Sequence, residues 1–218
     1  MPVTPYIIGA PYYPSKTDYR VFHDCDHTAC LTLSGASTSY DAETGHPGVF
    51  AMTTATAQYS QSRFNWGPAV SVRPFNVDEL QSVAILARVN STSNIASWFG
   101  IYGSTSGPTG DQNQTNSIVS YISGNSLTFR VNNASTSSAT TSVTIAANTW
   151  YEFRIVRNSA SAVSLYVNDV LAATVTTGVP TSAVCGIGGR CMTLENPGAK
   201  ILSLDYIDFQ TTSTTARY

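Results

Sequence analysis

Apolar side chains along this chain recur at every second position and almost nowhere at every third or fourth, which is the period of strands and not of helices. The segment 77–89 could be read either way, but Val83, Ile85, Ala87 and Val89 alternate with Ala84, Leu86 and Arg88, so a strand is predicted. Residues 126–132 set Leu127, Phe129 and Val131 against Thr128 and Arg130, and residues 143–147 offer a short partner after a Ser/Thr-rich turn. Residues 150–157 put Tyr151, Phe153 and Ile155 on one face against Glu152, Arg154 and Val156, with Trp150 opening the strand and assigned to the core. Residues 162–168 repeat the period, and Asn168-Asp169 is a two-residue turn that tolerates positive φ, predicting a hairpin into residues 170–176. The last strand, 201–209, alternates Leu202, Leu204 and Tyr206 with Ile201, Ser203, Asp205, Ile207 and Phe209, the first three lining one face. Gly, Asn, Ser and Pro punctuate the strands, and no sequence is left over for crossover helices. An all-β, antiparallel sandwich is predicted.

Residues 1–20 differ in kind. Pro2, Pro5, Pro11 and Pro14 prevent internal pairing, while Tyr6, Ile7, Ile8, Tyr12 and Tyr13 are costly to leave in water. They predict an extended arm that docks on a partner, followed by one sandwich domain over 21–210 and an exposed tail over 211–218. The length of 218 residues is compatible with a single core.

Charge narrows the partners. Only 11% of residues are charged, against about a quarter in ordinary soluble proteins, and Ser plus Thr make up roughly a quarter of the chain, so the surface is hydroxyl and amide. Eleven basic and thirteen acidic residues give a net charge of −2, and no two basic residues are adjacent. This excludes the electrostatic footprint of a nucleic-acid or anionic-membrane binder. The opening MPVTPYIIGA shows no basic stretch followed by an apolar run, so no cleavable export signal is expected.

Four blocks then stand in a familiar order: GHPGVFAMTTAT (45–56), TWYEFRIVRN (149–158), VSLYVNDVLAATVTTGVP (163–180) and LSLDYIDFQ (202–210). Together they resemble the concanavalin A-like lectin/glucanase jelly roll, and more narrowly its versions in virion proteins of tailed bacteriophages. The resemblance implies a jelly-roll sandwich. It leaves function open, because that fold carries lectins, hydrolases and inert modules alike.

The glucanases it resembles hold their acids on one strand as Glu-x-Asp-x-(x)-Glu, since hydrolysis needs two carboxylates flanking the bond. Glu43, Glu79, Glu152 and Glu195 show no such spacing. Asp205 and Asp208, three apart, are predicted to face opposite ways. No enzyme activity and no cofactor are expected. Lectins of the fold hold calcium through Asp and Asn oxygens. Asp111 and Asn113, in the polar loop 107–116, are the candidate oxygens, though without a recognisable calcium motif, and Trp66, Trp98 and Tyr121 are candidate sugar-stacking rings.

Cys25 with Cys30 and Cys185 with Cys191 form two close pairs, the first beside His23 and His27. Buried thiols, disulfides and a metal site all remain open for them. His46, before Pro47, is expected in a turn, and Gly186-Ile187-Gly188-Gly189-Arg190 lacks the Lys-Ser/Thr and helix start of a phosphate loop.

The expected function is a non-enzymatic phage virion protein, a capsid cement or decoration protein made in the host cytoplasm and anchored to the major capsid protein or another virion protein. It is expected to be a homo-oligomer, with a trimer favoured by the resemblance. The alternative is a glycan-binding receptor-recognition module of a tail or head fibre.

Overall fold

The computed structural model describes residues 17–25, 31–35, 37–66, 75–103, 115–133, 135–195 and 198–213. The arm residues Tyr6, Ile7, Ile8, Tyr12 and Tyr13, together with Cys30, Asp111, Asn113 and the side chain of Trp66, lie outside them. The strands are β1 Thr17–His23, β2 Leu31–Gly35, β3 Ser37–Glu43, β4 His46–Thr53, β5 Gln61–Trp66, β6 Phe75–Asn76, β7 Leu80–Val89 and β8 Ile95–Tyr102. They continue as β9 Ser117–Ser123, β10 Ser126–Asn133, β11 Ser135–Thr144, β12 Tyr151–Ser159, β13 Ala162–Val167, β14 Val170–Val175, β15 Val184–Thr193 and β16 Ile201–Ser213. Among the described residues Thr17 pairs with Ser213, so the sandwich takes in residues near both ends that were read as arm and tail.

All pairing is antiparallel and builds two sheets. The first runs β14-β13-β12-β7-β16-β4-β3, with β1 also on β16; the second runs β11-β10-β9-β8-β15-β5-β2, with β6 on β15. This is the predicted sandwich, with the strand order of a jelly roll. Its core is filled from both sheets by Phe50, Phe64, Phe99, Phe129, Phe153 and the aliphatic side chains around them. Phe99 meets Phe153 edge-on at 4.9 Å across the two sheets, the geometry that ring quadrupoles favour. The Gly-rich run in β15 serves this packing: a Cβ on Gly189 would sit 2.5 Å from the Phe64 ring and 2.9 Å from the Phe99 Cβ.

Several local expectations hold. Asn168 and Asp169 both have positive φ, 49° and 65°, and close the β13–β14 hairpin. Residues 77–79 are instead a short 3-10 turn, capped reciprocally by Asn76 and Glu79, and β7 starts only at Leu80. The Ser/Thr-rich stretch expected as a turn is itself β11, pairing with β10 from Asn133↔Ser135 onward. Its alternation is hidden because an edge strand is solvated on one face and hydroxyl side chains serve there.

The closing strand differs most from expectation. Leu202 and Leu204 pair with Val89 and Ala87, but Tyr206 pairs with Leu86, so Asp205 is an extra residue in β16. Such a bulge reverses the alternation. Leu202 and Leu204 face the core before it, Ile207 and Phe209 after it, and Tyr206 is turned outward. Asp205 and Asp208 therefore share the outer face, contrary to the simple count of three.

Leu204 is fully buried in the central strand. Leu204→Ala is expected to lower unfolding free energy by about 2–5 kcal/mol in urea denaturation. A loss under about 1 kcal/mol would mean that the site collapses around the truncation.

Candidate functional site

The two sheets differ in their acids. Among the described residues every carboxylate carried on a strand belongs to the first sheet: Asp18, Asp41, Glu43, Glu152, Asp205 and Asp208. The described strands of the second sheet carry none, while both sheets hold arginines, Arg63, Arg130 and Arg190 on the second.

On the first sheet the bulge aims Asp205 at β4, where its Oδ2 lies 2.8 Å from His46 Nδ1. His46 is thus the first residue of a strand and not a turn residue. Its ring stacks on Trp150, with centroids 4.6 Å apart, and the Arg88 guanidinium lies 4.7 Å from the centre of the same indole. Trp150 is therefore a half-buried residue of the outer face, not a core residue. It precedes β12, and its indole is covered by a histidine and an arginine instead of by the opposite sheet.

Glu43, Asp208 and Glu152 are engaged too. Arg88 pairs with Glu43. Arg20 donates two bonds to Asp208, at 2.9 and 2.7 Å. The Tyr206 hydroxyl donates to Glu152, and Arg154 lies between Glu152 and Asp169. Burial, then the Glu152 bond and the charges of Glu152, Asp208 and Asp205, raise the Tyr206 hydroxyl well above the ordinary phenol range.

On the second sheet the outward side chains of β8 are covered. Ala96, Trp98, Tyr102 and Val119 form a second apolar cluster outside the sandwich core, with Tyr121, Met192 and Leu194 packed against it. Trp98 is 0% and Tyr102 1% exposed. Arg190 stacks over Trp98 and Arg130 over Tyr121. The Trp98 ring, a candidate for sugar stacking, is thus closed to a ligand from solvent.

A cleft of about 410 Å³ opens beside Asp78, Leu80, Arg157, Ser159, Ala160 and Thr181. Arg157 donates there to Asp78, Pro180 O and Ala160 O, while Asp78 also accepts from the Ser182 amide. Burial lowers the Arg157 guanidinium from its usual value, and Asp78 counteracts this. These bonds tie the 3-10 turn, the β12–β13 turn and the loop before β15 together.

The cysteines do not gather as the sequence pairs them. Cys185 and Cys191 are six residues apart on one strand, which separates them by about 20 Å. No disulfide joins Cys25, Cys185 and Cys191, and all three are buried in the core. Among the described residues no group of three His, Cys, Asp or Glu side chains is arranged to hold a metal ion. The outward cluster around His46 escaped the sequence reading, because its members come from β3, β4, β7 and β16 and from the residue before β12.

The family model described as SO2946-like, C-terminal domain, matches residues 45–208. The chain belongs to the SO2946-like family. A solved protein of unknown function, SO2946 from Shewanella oneidensis MR-1, is similar over 99% of both chains, with 14% identity and a TM-score of 0.64. A β-1,3-1,4-glucanase (lichenase) derived from a mouse hindgut metagenome aligns over 87% of this chain and 98% of its own, at 8% identity and TM-score 0.63. The carbohydrate recognition domain of Emp47p aligns over 94% and 100%, at 11% identity and TM-score 0.63. At such identities the likeness establishes the fold, a concanavalin A-like jelly roll, and the family member shares it. No curated protein matches the sequence.

Cys191 gives this family member a measurable alkaline signature. Burial pushes its thiol up to about 12, offset in part by the neighbouring Ser97 hydroxyl, by Lys200 and by the Leu202 backbone. Below the unfolded thiol pKa of about 8.5 both states are protonated and the stabilisation is complete. Above it the unfolded chain ionises first, so stability falls as pH rises toward the folded value. Between pH 7.5 and 10 this thiol should remove about 2 kcal/mol from the unfolding free energy. In denaturation at both pH values, Cys191→Ala should shrink the drop by that amount. An unchanged drop would mean that the folded thiol titrates normally.

Proposed function

We propose that this chain is a non-catalytic virion protein of a tailed bacteriophage, a cement or decoration protein that bridges coat subunits. The observation that carries the non-catalytic half is the engagement of the carboxylates. Hydrolysis of a glycosidic bond needs two of them about 5–10 Å apart, one able to give a proton and one to attack or activate water. Here Glu43, Glu152, Asp205 and Asp208 are each held by a base or a phenol, and the described strands of the second sheet carry no acid.

The virion half is supported by the sequence: the HPGV block, the Tyr/Pro arm and the low charge. Such a protein would stabilise a shell by binding its assembled state in preference to free subunits, which needs buried area and not chemistry. Fibre-borne glycan recognition is the second reading. It draws on the shared fold with a carbohydrate recognition domain. The covering of Trp98 and Trp150 weighs against it.

Purified particles decide between the two. Gel densitometry should show this chain in hundreds of copies per virion, as cement, while tens or fewer would favour a fibre and absence would overturn both. The isolated protein should release no reducing sugar from β-1,3- or β-1,3-1,4-glucans, and EDTA should leave its melting temperature unchanged. Steady hydrolysis lost on Glu152→Gln or Asp205→Asn would overturn the non-catalytic reading.

A further inference from the structure

The first sheet ends at β14, which among the described residues is hydrogen-bonded on one side only, to β13. An open row of N–H and C=O groups is a template for another strand, and proteins guard such rows with charges, prolines, bulges or short length. The other edges follow that rule. β3 carries Asp41 and Glu43 and a bulge, β11 is dominated by Ser and Thr, and β2 has five residues.

β14 is short like β2 and carries a bulge at Ala172 as β3 carries one, but no charge or proline guards its outer edge. Its sequence, Val170-Leu171-Ala172-Ala173-Thr174-Val175, contains no charge, proline or glycine. Val170 and Leu171 are 66% and 55% exposed.

The strand is also complementary to itself. A shift in its pairing with β13, between Leu165 and Tyr166, changes which side chains point outward. Leu171 pairs with Tyr166 on the outer face, and Thr174 bonds Ser164 at 2.9 Å on that same face. Val170 and Val175 pair with Val167 and Val163, both core residues. Residues directly opposite in an antiparallel ladder share a face. We infer that two copies of this chain join through β14, antiparallel, about a twofold axis between Ala172 and Ala173. This register sets Leu171 opposite Thr174 of the other copy, outer against outer, and Val170 opposite Val175, inner against inner. A slip of one residue would oppose outer Leu171 to an inward side chain. Asp169 falls opposite Thr176, so no like charges meet, and the axis passes between small alanines. An isologous contact of this kind closes at two copies, where the resemblance implied trimers.

The test is sedimentation of the full chain from about 5 to about 200 µM, the range in which an interface this small dissociates. A dimer of the 23.2 kDa chain is expected to form as concentration rises. Leu171→Lys, a charge on an exposed position, should weaken the dimer at least about tenfold while circular dichroism and melting temperature stay unchanged. The double substitution L171C/T174C should give a covalent dimer under mild oxidation, because opposed Cβ atoms lie about 4.5–5.5 Å apart. A monomer throughout, a trimer, an unaffected dimer in Leu171→Lys, or a dimer that fails to cross-link would each overturn the inference.

Discussion

One extra residue in β16 determines how both surfaces of the first sheet are used. Before Asp205 the strand sends Leu202 and Leu204 into the core, and after it Ile207 and Phe209. Without the bulge, strict alternation would have sent Tyr206 inward and Ile207 and Phe209 outward, exchanging two large apolar side chains for a phenol. The same kink directs Asp205 to His46 and leaves Tyr206 and Asp208 beside β12 and β1, where Glu152 and Arg20 meet them. Core and outer polar network thus depend on one backbone irregularity.

The low charge of the chain follows from how that network is closed. Among the described strands the acids are confined to one sheet, where His46, Arg88, Arg20, Arg154 and Tyr206 neutralise or bond Asp205, Glu43, Asp208 and Glu152. Exposed pairs of this sort add little stability individually, because water screens them. Their effect is on the field of the face, because charges paired with one another leave less of it at the surface. The second sheet reaches a similar result by another route, burying its outward aromatics beneath a second apolar cluster.

That double covering also explains which parts of the fold were legible in the sequence. β10, β12 and β13 have one face on the core and one in contact with water, so their alternation is visible, as in Leu127, Phe129 and Val131. β8 is buried at all eight positions, and a strand covered on both faces has no alternation to read. β15 is masked by glycines whose purpose, room for Phe64 and Phe99, appears only when the sheets are stacked. Trp150 was misplaced for a related reason: a large aromatic at a strand start signals burial, but not whether the cover is the core or a histidine and an arginine from distant strands. The bulge had no local mark, since Leu-Asp-Tyr-Ile reads as unbroken alternation whether or not Asp205 is extra. The grouping of Asp205, Asp208 and Glu152 on one face required the fold.

A jelly roll that closes both of its faces has to make contacts elsewhere. Among the described residues the places left are the sheet edges and the loops at the ends of the sandwich. Edges offer backbone bonds and apolar area with little need for a preorganised polar pocket. Hydrolysis demands the reverse: a concave site, excluded water and carboxylates held ready with one partner missing. The engaged acids and the covered aromatics therefore point in the same direction as the exposed Val170 and Leu171. A shared fold with glucanases constrains the backbone of this chain and does not by itself carry their chemistry over, because chemistry rests on particular side chains and not on the fold.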